Sequence, residues 1–123
     1  MAQRFSEPLF VISVAARLVE MHPQTLRKYE REGLVAPSRT SGNLRLYSDQ
    51  DIERLRQVKY LVEKRNMNLA GVQMALDLTR ELLALRERLD TKDPQTRVMH
   101  KELSKMLGML GHIDQEEIRK QER

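Results

Sequence analysis

The stretch Met21–Leu34, MHPQTLRKYEREGL, decides how the chain reads. Both ends of a short helix are marked in it. His22 stands at the N-cap, Pro23 takes the first helical position, where a missing N–H costs nothing, and Gly33 suits the residue just past the last turn. On a 3.6-residue period Leu26 and Tyr29 share one side, with Leu34 beyond, while Gln24, Arg27, Lys28 and Arg31 share the other. One face packs; the other is basic and carries an amide. A preceding amphipathic run, Val14 to Val19, ends about three residues upstream, the connection of a helix-turn-helix. Its second helix would lie in a DNA major groove. The plainer alternative is a small helical hairpin whose Arg and Lys line a solvated face, and the rest of the chain decides between the two.

Working outward, Leu9 to Ile12 is apolar and β-prone, either a short extended segment or a staple against the first helix. Ser13 is the expected cap of that helix, Val14, Ala15 and Leu18 its inner face, and Arg17 a charge set beside a phosphate backbone. After the second helix, Pro37, Ser38, Ser41, Gly42 and Asn43 are turn residues between Val35 and the alternating Leu44, Leu46 and Tyr47. This predicts a β-hairpin with Arg39, Asn43 and Arg45 at its tip rather than an ordinary surface loop. A hairpin directly after a basic recognition helix is the layout of a winged helix-turn-helix, whose wing delivers cations to phosphates or the minor groove.

Ser48 with Asp49 and Asp51 is a near capping box opening a helix through about Arg65, with Ile52, Leu55, Val58, Leu61 and Val62 on one face. Asn68 caps the next helix, where Leu69, Val72, Ala75 and Leu76 continue the core, and Gly71 suggests a close helix crossing. From Leu78 the spacing becomes heptad: Leu78, Leu82, Leu85 and Leu89, then, past an interruption at Asp93-Pro94, Met99, Leu103, Met106 and Leu110. Leu107 and Met109 broaden that stripe, and Gly108 and Gly111 weaken the helix while permitting close approach. These apolar positions are the expected dimerisation residues. The expected fold is all-α with a small β wing: a winged helix-turn-helix head over residues 1–76 and a long dimerisation or coiled-coil arm over 77–123.

Composition narrows the function. Of 123 residues only 4% are aromatic and 33% are charged, which fits apolar helical stripes meeting a partner better than one large aromatic core. Residues 1–66 hold 12 Lys/Arg against 8 Asp/Glu, leaving ten of each sign beyond them, so the net +4 lies entirely in the first half. A basic front and a neutral, leucine-striped back indicate a polyanion-binding head and a protein-binding tail. Without cysteine there is no disulfide framework, thiolate nucleophile or cysteine metal site. His100 and His112 have no carboxylate at ligand spacing, so no metal or cofactor is expected. No phosphate loop or specific catalytic triad is present, which argues against an enzyme. The beginning, MAQRFSEPLF, lacks the order of a signal peptide, and a cytoplasmic protein is expected.

The order of elements, together with TLRKYEREGLVAP and RTSGNLRLYS, resembles the MerR family of transcription regulators. EPLFVISVAARL, MHPQTLRKYEREGLVAPSRT and MNLAGVQMALDL are similar to the heat-shock repressors of that family, and together cover roughly residues 7–80. The resemblance implies a homodimer with antiparallel arms, two winged heads over successive major grooves of an inverted-repeat operator, repression of chaperone genes, and the chaperone DnaK as a co-repressor. Gln24, Thr25 and Arg27 then suit base edges: Arg pairs with guanine, Gln with adenine, and the Thr methyl meets a thymine methyl. Arg17, Lys28, Arg39, Asn43 and Arg45 suit phosphates or the minor groove, His22 is a cap beside a phosphate, and Tyr47 either packs the wing or touches DNA. Control of another stress regulon, or a module docking a chaperone through the Met/Leu stripe, are the competing functions.

Overall fold

The computed structural model describes residues 5–113, so the first four residues and residues 114–123, the end of the expected arm, lie outside the described range. The apolar start is a strand, β1 (Pro8–Val11), and not merely a staple. It runs without a break into α1 (Ile12–Val19), whose N-cap Val11 makes no side-chain cap. Ser13 therefore sits inside the first turn instead of capping it. The inner face is correspondingly rotated. Ala15, Ala16 and Val19 are buried, while Val14 and Leu18 are 37% and 41% exposed. Because β1 is hydrogen-bonded into a sheet and joins α1 directly, the strand sets the helix's rotation. The small Ala15 and Ala16 then face the next helix.

That helix, α2 (Pro23–Arg31), has the two marked ends. The His22 Nδ1 accepts from the Gln24 N–H at 3.0 Å. At the other end Gly33, at φ +78°, closes a Schellman motif, with Leu34 N–H on Tyr29 O at 2.9 Å and Gly33 N–H on Glu30 O at 3.0 Å. Leu34 is thereby carried into the core. The hairpin follows as β2 (Ser38–Arg39) and β3 (Arg45–Ser48), with β1 pairing on the other side of β3 to give a three-stranded antiparallel sheet of order β1-β3-β2.

Ser48 and Asp51 form a reciprocal capping box at the start of α3 (Asp49–Glu63). The Ser48 N–H donates to Asp51 Oδ2 at 2.9 Å, and the Asp51 N–H donates to Ser48 Oγ at 3.1 Å. Since both groups are part-buried, Ser48→Ala should cost about 1–2 kcal/mol in urea denaturation, the upper range for a lost cap. Ile52 and Leu55 of α3 join Ala15, Ala16, Val19, Leu26, Val35 and Tyr47 in one core. Three cations of α3 serve this fold. Lys59 Nζ donates to the Val19 and Glu20 carbonyls at 3.3 and 3.2 Å, Arg56 to Leu18 O, and Arg54 to Leu34 O. The first two satisfy carbonyls at the end of α1, where helix geometry leaves acceptors without partners.

The chain divides into two compact units, Met1–Lys59 and Tyr60–Arg123. The second opens with the end of α3 and a left-handed Asn66, after which Asn68 caps α4 (Leu69–Glu87) by accepting from the Gly71 N–H at 2.8 Å. The head boundary expected at 76/77 falls inside this unbroken helix. Leu69 is exposed, leaving Val72, Ala75 and Leu76 as its buried positions. Gly71 is not at a helix crossing: a Cβ there would meet Asn68 Oδ1 at 3.2 Å, within the cap itself.

Asp93 and Pro94 make a sharp turn. Asp93 accepts from the Gln95 N–H and the Thr96 hydroxyl, and α5 (Pro94–Met109) runs back along α4. Side chains tie α5 to α4 and to the segment before it: Arg86 donates to Ser104 Oγ at 2.9 Å, and Arg65 to Met109 O at 3.2 Å. The arm is thus a helical hairpin, not a single seam. Leu103, expected at a dimer interface, is only 9% exposed within its own chain, Leu107 is buried too, and Leu89 lies beyond the last turn of α4. Leu78 and Leu85 remain 47% and 46% exposed, as do Met99 and Met106 for about half their surface. Leu82 and Leu110 are half-buried. Among the described residues no helix is long and apolar enough to cross a membrane. The mostly helical chain with a small wing matches the expected fold class.

Candidate nucleic-acid interface

With α2 fixed at both ends, its outward side presents Gln24, Lys28 and Arg31 exposed and Thr25 and Arg27 half-buried. Arg17 is exposed in the last turn of α1. These residues combine an amide, a hydroxyl-methyl and cations on one short helix and its neighbour, the donors and acceptors that read base edges and phosphates. His22 is exposed, but its Nδ1 is occupied as an acceptor in the cap, so what it offers a ligand is the far edge of the ring.

The hairpin tip is a tight loop in which Thr40 and Leu44 exchange hydrogen bonds and Asn43 adopts φ 66°. Asn43 is exposed there. Arg39 and Arg45 are not free cations. Arg39 Nη2 lies 3.1 Å from both carboxylate oxygens of Glu30, its Nη1 donates to Asn43 O at 3.2 Å, and Arg45 Nε donates to Glu30 Oε1 at 2.6 Å. One carboxylate on α2 therefore holds both strands of the wing. Burial by itself would raise the Glu30 pKa, but the hydrogen bonds from Arg45 and Arg39, together with their charges, hold it below the ordinary glutamate value. The folded carboxyl being the stronger acid, its contribution to stability is complete above the ordinary glutamate range and is lost as pH falls through the lowered folded value.

Tyr47, assigned as either packing or touching DNA, is completely buried, and among the described residues its hydroxyl is the one buried side-chain polar atom without a hydrogen-bond partner. In this arrangement Tyr47 belongs to the buried cluster that includes Leu26 and Leu55, with no part of it at the surface. Burial, followed by the nearby Glu30 charge, raises its pKa.

The family described as MerR HTH family regulatory protein matches residues 10–79, more than half of the chain and all of the elements just described from α1 to the capped start of α4. The chain belongs to the MerR family. This MerR-family chain is 51% identical over 81 residues to HspR of Streptomyces coelicolor, a heat shock protein by name, and the match covers 66% of this chain and 54% of that protein. It therefore spans about half the length of that relative. The transcriptional regulator GlnR of Bacillus anthracis is 32% identical over 117 residues, covering 94% of this chain and 90% of GlnR. Among solved structures, the transcription regulator PbrR691 from Ralstonia metallidurans, in complex with lead(II), superposes with a TM-score of 0.53 at 26% identity, covering 94% of this chain and 81% of that one.

Sequence reading of the MerR-type head missed Glu30. A signal existed: on the helical period Glu30 lies between buried Leu26 and basic Arg27, the one carboxylate at that edge, with two arginines in the hairpin that follows. What the sequence did not reveal is that the hairpin folds back far enough for both to reach it.

Proposed function

We propose that the chain is a sequence-specific DNA-binding repressor of chaperone genes that binds an inverted-repeat operator as a homodimer, with DnaK as co-repressor. The observation that carries DNA binding is the exposed polar and basic side of α2, held at both ends by the His22 cap and the Gly33 Schellman turn. On this reading Gln24, Thr25 and Arg27 of α2 meet base edges, and Lys28, with Arg17 of α1 and Asn43 of the hairpin tip, meets phosphates. The likeness to HspR supports chaperone genes as the target. Exposed Leu78 and Leu85 on α4 and Met99 and Met106 on α5 supply apolar surface for a second copy.

Selection of bound sequences from a random duplex pool, with the purified protein alone and then with DnaK, tests the proposal. An inverted repeat with half-sites an integral number of turns apart supports a dimeric repressor, and sharpening on addition of DnaK supports the co-repressor. No enrichment in either condition overturns it. On the recovered operator, Arg27→Ala should weaken binding by about 5- to 150-fold, the value of one good base contact, and relax preference at one position per half-site. Undiminished binding by that variant would remove α2 from the reading.

A second reading, a module that docks a chaperone, is favoured by the methionines of the arm: Met74 is 72% exposed, and Met99, Met106 and Met109 are about half exposed. Such a surface is adaptable, and its binding would change little with salt, whereas phosphate contacts weaken steeply.

A further inference from the structure

The wing carries two arginines that a sequence reading counts as phosphate contacts, yet both end on Glu30. We infer that Glu30 is a specificity-determining, positioning residue: its carboxylate ties Arg39 and Arg45 to the recognition helix, fixing the wing and withholding two cations from indiscriminate phosphate binding. The inference rests on the DNA-binding reading of α2.

Three features of the geometry carry it. First, the arrangement joins elements distant in sequence: Glu30 is on α2, Arg39 on β2 and Arg45 on β3, so breaking it releases both strands of the hairpin from the helix. Secondly, it is sheltered. The Glu30 and Arg45 side chains are 19% and 23% exposed, and that shelter keeps the pair from being screened as an open surface pair is. Thirdly, Arg39 continues to the tip, where its Nη1 donates to the carbonyl of left-handed Asn43. The carboxylate thus fixes the turn as well as the strands. Two guanidinium groups sharing one carboxylate carry a net charge of one, where two free arginines would carry two. A wing held in this way fits a duplex whose backbone runs at the matching place and gains little from phosphates elsewhere. Affinity for a matched site is retained while generic attraction is reduced, and discrimination is the difference between them.

The test compares the full chain with Glu30→Gln, which keeps the side chain's shape and an oxygen acceptor but removes the charge. Binding to the selected operator and to a scrambled duplex of equal length is measured across a range of salt concentrations. For Glu30→Gln, scrambled-duplex affinity should rise by about three- to tenfold, its log–log salt slope should steepen by about one to two, as one or two freed arginines reach phosphates, and the operator-to-scrambled ratio should fall by about tenfold. Adding Arg45→Gln to that variant should bring the slope part of the way back. An unchanged slope and ratio, or a proportional loss of both affinities as from a smaller folded fraction, would overturn the inference while leaving DNA binding by α2 intact. If the unaltered chain binds neither duplex, the DNA-binding reading itself fails and takes this inference with it.

Discussion

Tyr47→Ala should destabilise the first unit by about 3–5 kcal/mol, enough to remove most of the stability of a small domain, whereas Tyr47→Phe should leave stability unchanged or raise it by up to about 1 kcal/mol. The two variants separate the two parts of one side chain. The ring is completely buried among α1, α2 and α3 residues, and deleting it opens a cavity at the centre of the Ala15, Leu26, Ile52 and Leu55 cluster. The hydroxyl is buried with no partner among the described residues, so it has lost hydration without gaining a hydrogen bond in return. Urea denaturation measures both variants. The same pair decides whether this tyrosine contacts DNA: Tyr47→Phe should bind operator with unaltered affinity and salt slope. A Tyr47→Phe variant that is clearly less stable, or that binds DNA with a shallower slope, would show the hydroxyl to be engaged.

Gly111→Ala is expected to have the next largest effect, about 2–4 kcal/mol against the second unit. Gly111 follows α5 at φ +84°, and a Cβ built there would stand 2.5 Å from Tyr60 Cδ1. An alanine would pay both for the left-handed backbone and for displacing the ring. Its neighbours make that displacement consequential. Arg65 stacks over the Tyr60 ring at 5.8 Å and donates to Met109 O, and His112 N–H closes the helix end on Leu107 O at 3.0 Å. Gly108→Ala is the matched control. Nothing lies within 4 Å of its added Cβ, the site is helical, and the substitution should stabilise α5 by about 0.5–1 kcal/mol. Amide exchange at Leu107 and Leu110 should quicken in Gly111→Ala and slow in Gly108→Ala. Equal exchange in the two variants would refute the close-approach account.

These predictions trace where sequence reading succeeded and where it stopped. His22, Gly33, Ser48 and Asn68 each mark a helix end through their own backbone or a neighbour two or three residues away, and all four do so in the structure, whereas Ser13, the expected cap of α1, lies inside its first turn. The buried positions of α3 follow the same local rule, since Ile52, Leu55, Val58 and Leu61 recur on the helical period. The readings that failed depended on an element the local pattern does not contain. Of the expected inner face of α1 only Ala15 is buried; with β1 paired to β3 and running straight into the helix, Ala16 and Val19 are buried in place of Val14 and Leu18. Leu103 kept a heptad register with Met99, but the turn at Asp93 folds α5 against α4 and turns that leucine inward.

The candidate site divides in the same way. The basic, amide-bearing side of α2 was legible because helical periodicity places Gln24, Arg27, Lys28 and Arg31 together whatever surrounds them. That Arg39 and Arg45 are held by Glu30, nine and fifteen residues away, was not, because charge counting treats every exposed arginine as available. By itself, then, the sequence determined most of the helix ends, the hairpin, the family and the basic character of the head, all of them properties of short-range spacing. The tertiary structure alone decided which side of α1 is buried, that the arm doubles back, that Tyr47 is core, and that the wing's cations are shared with a carboxylate, because each of these depends on which distant elements share one packed interior or one charge.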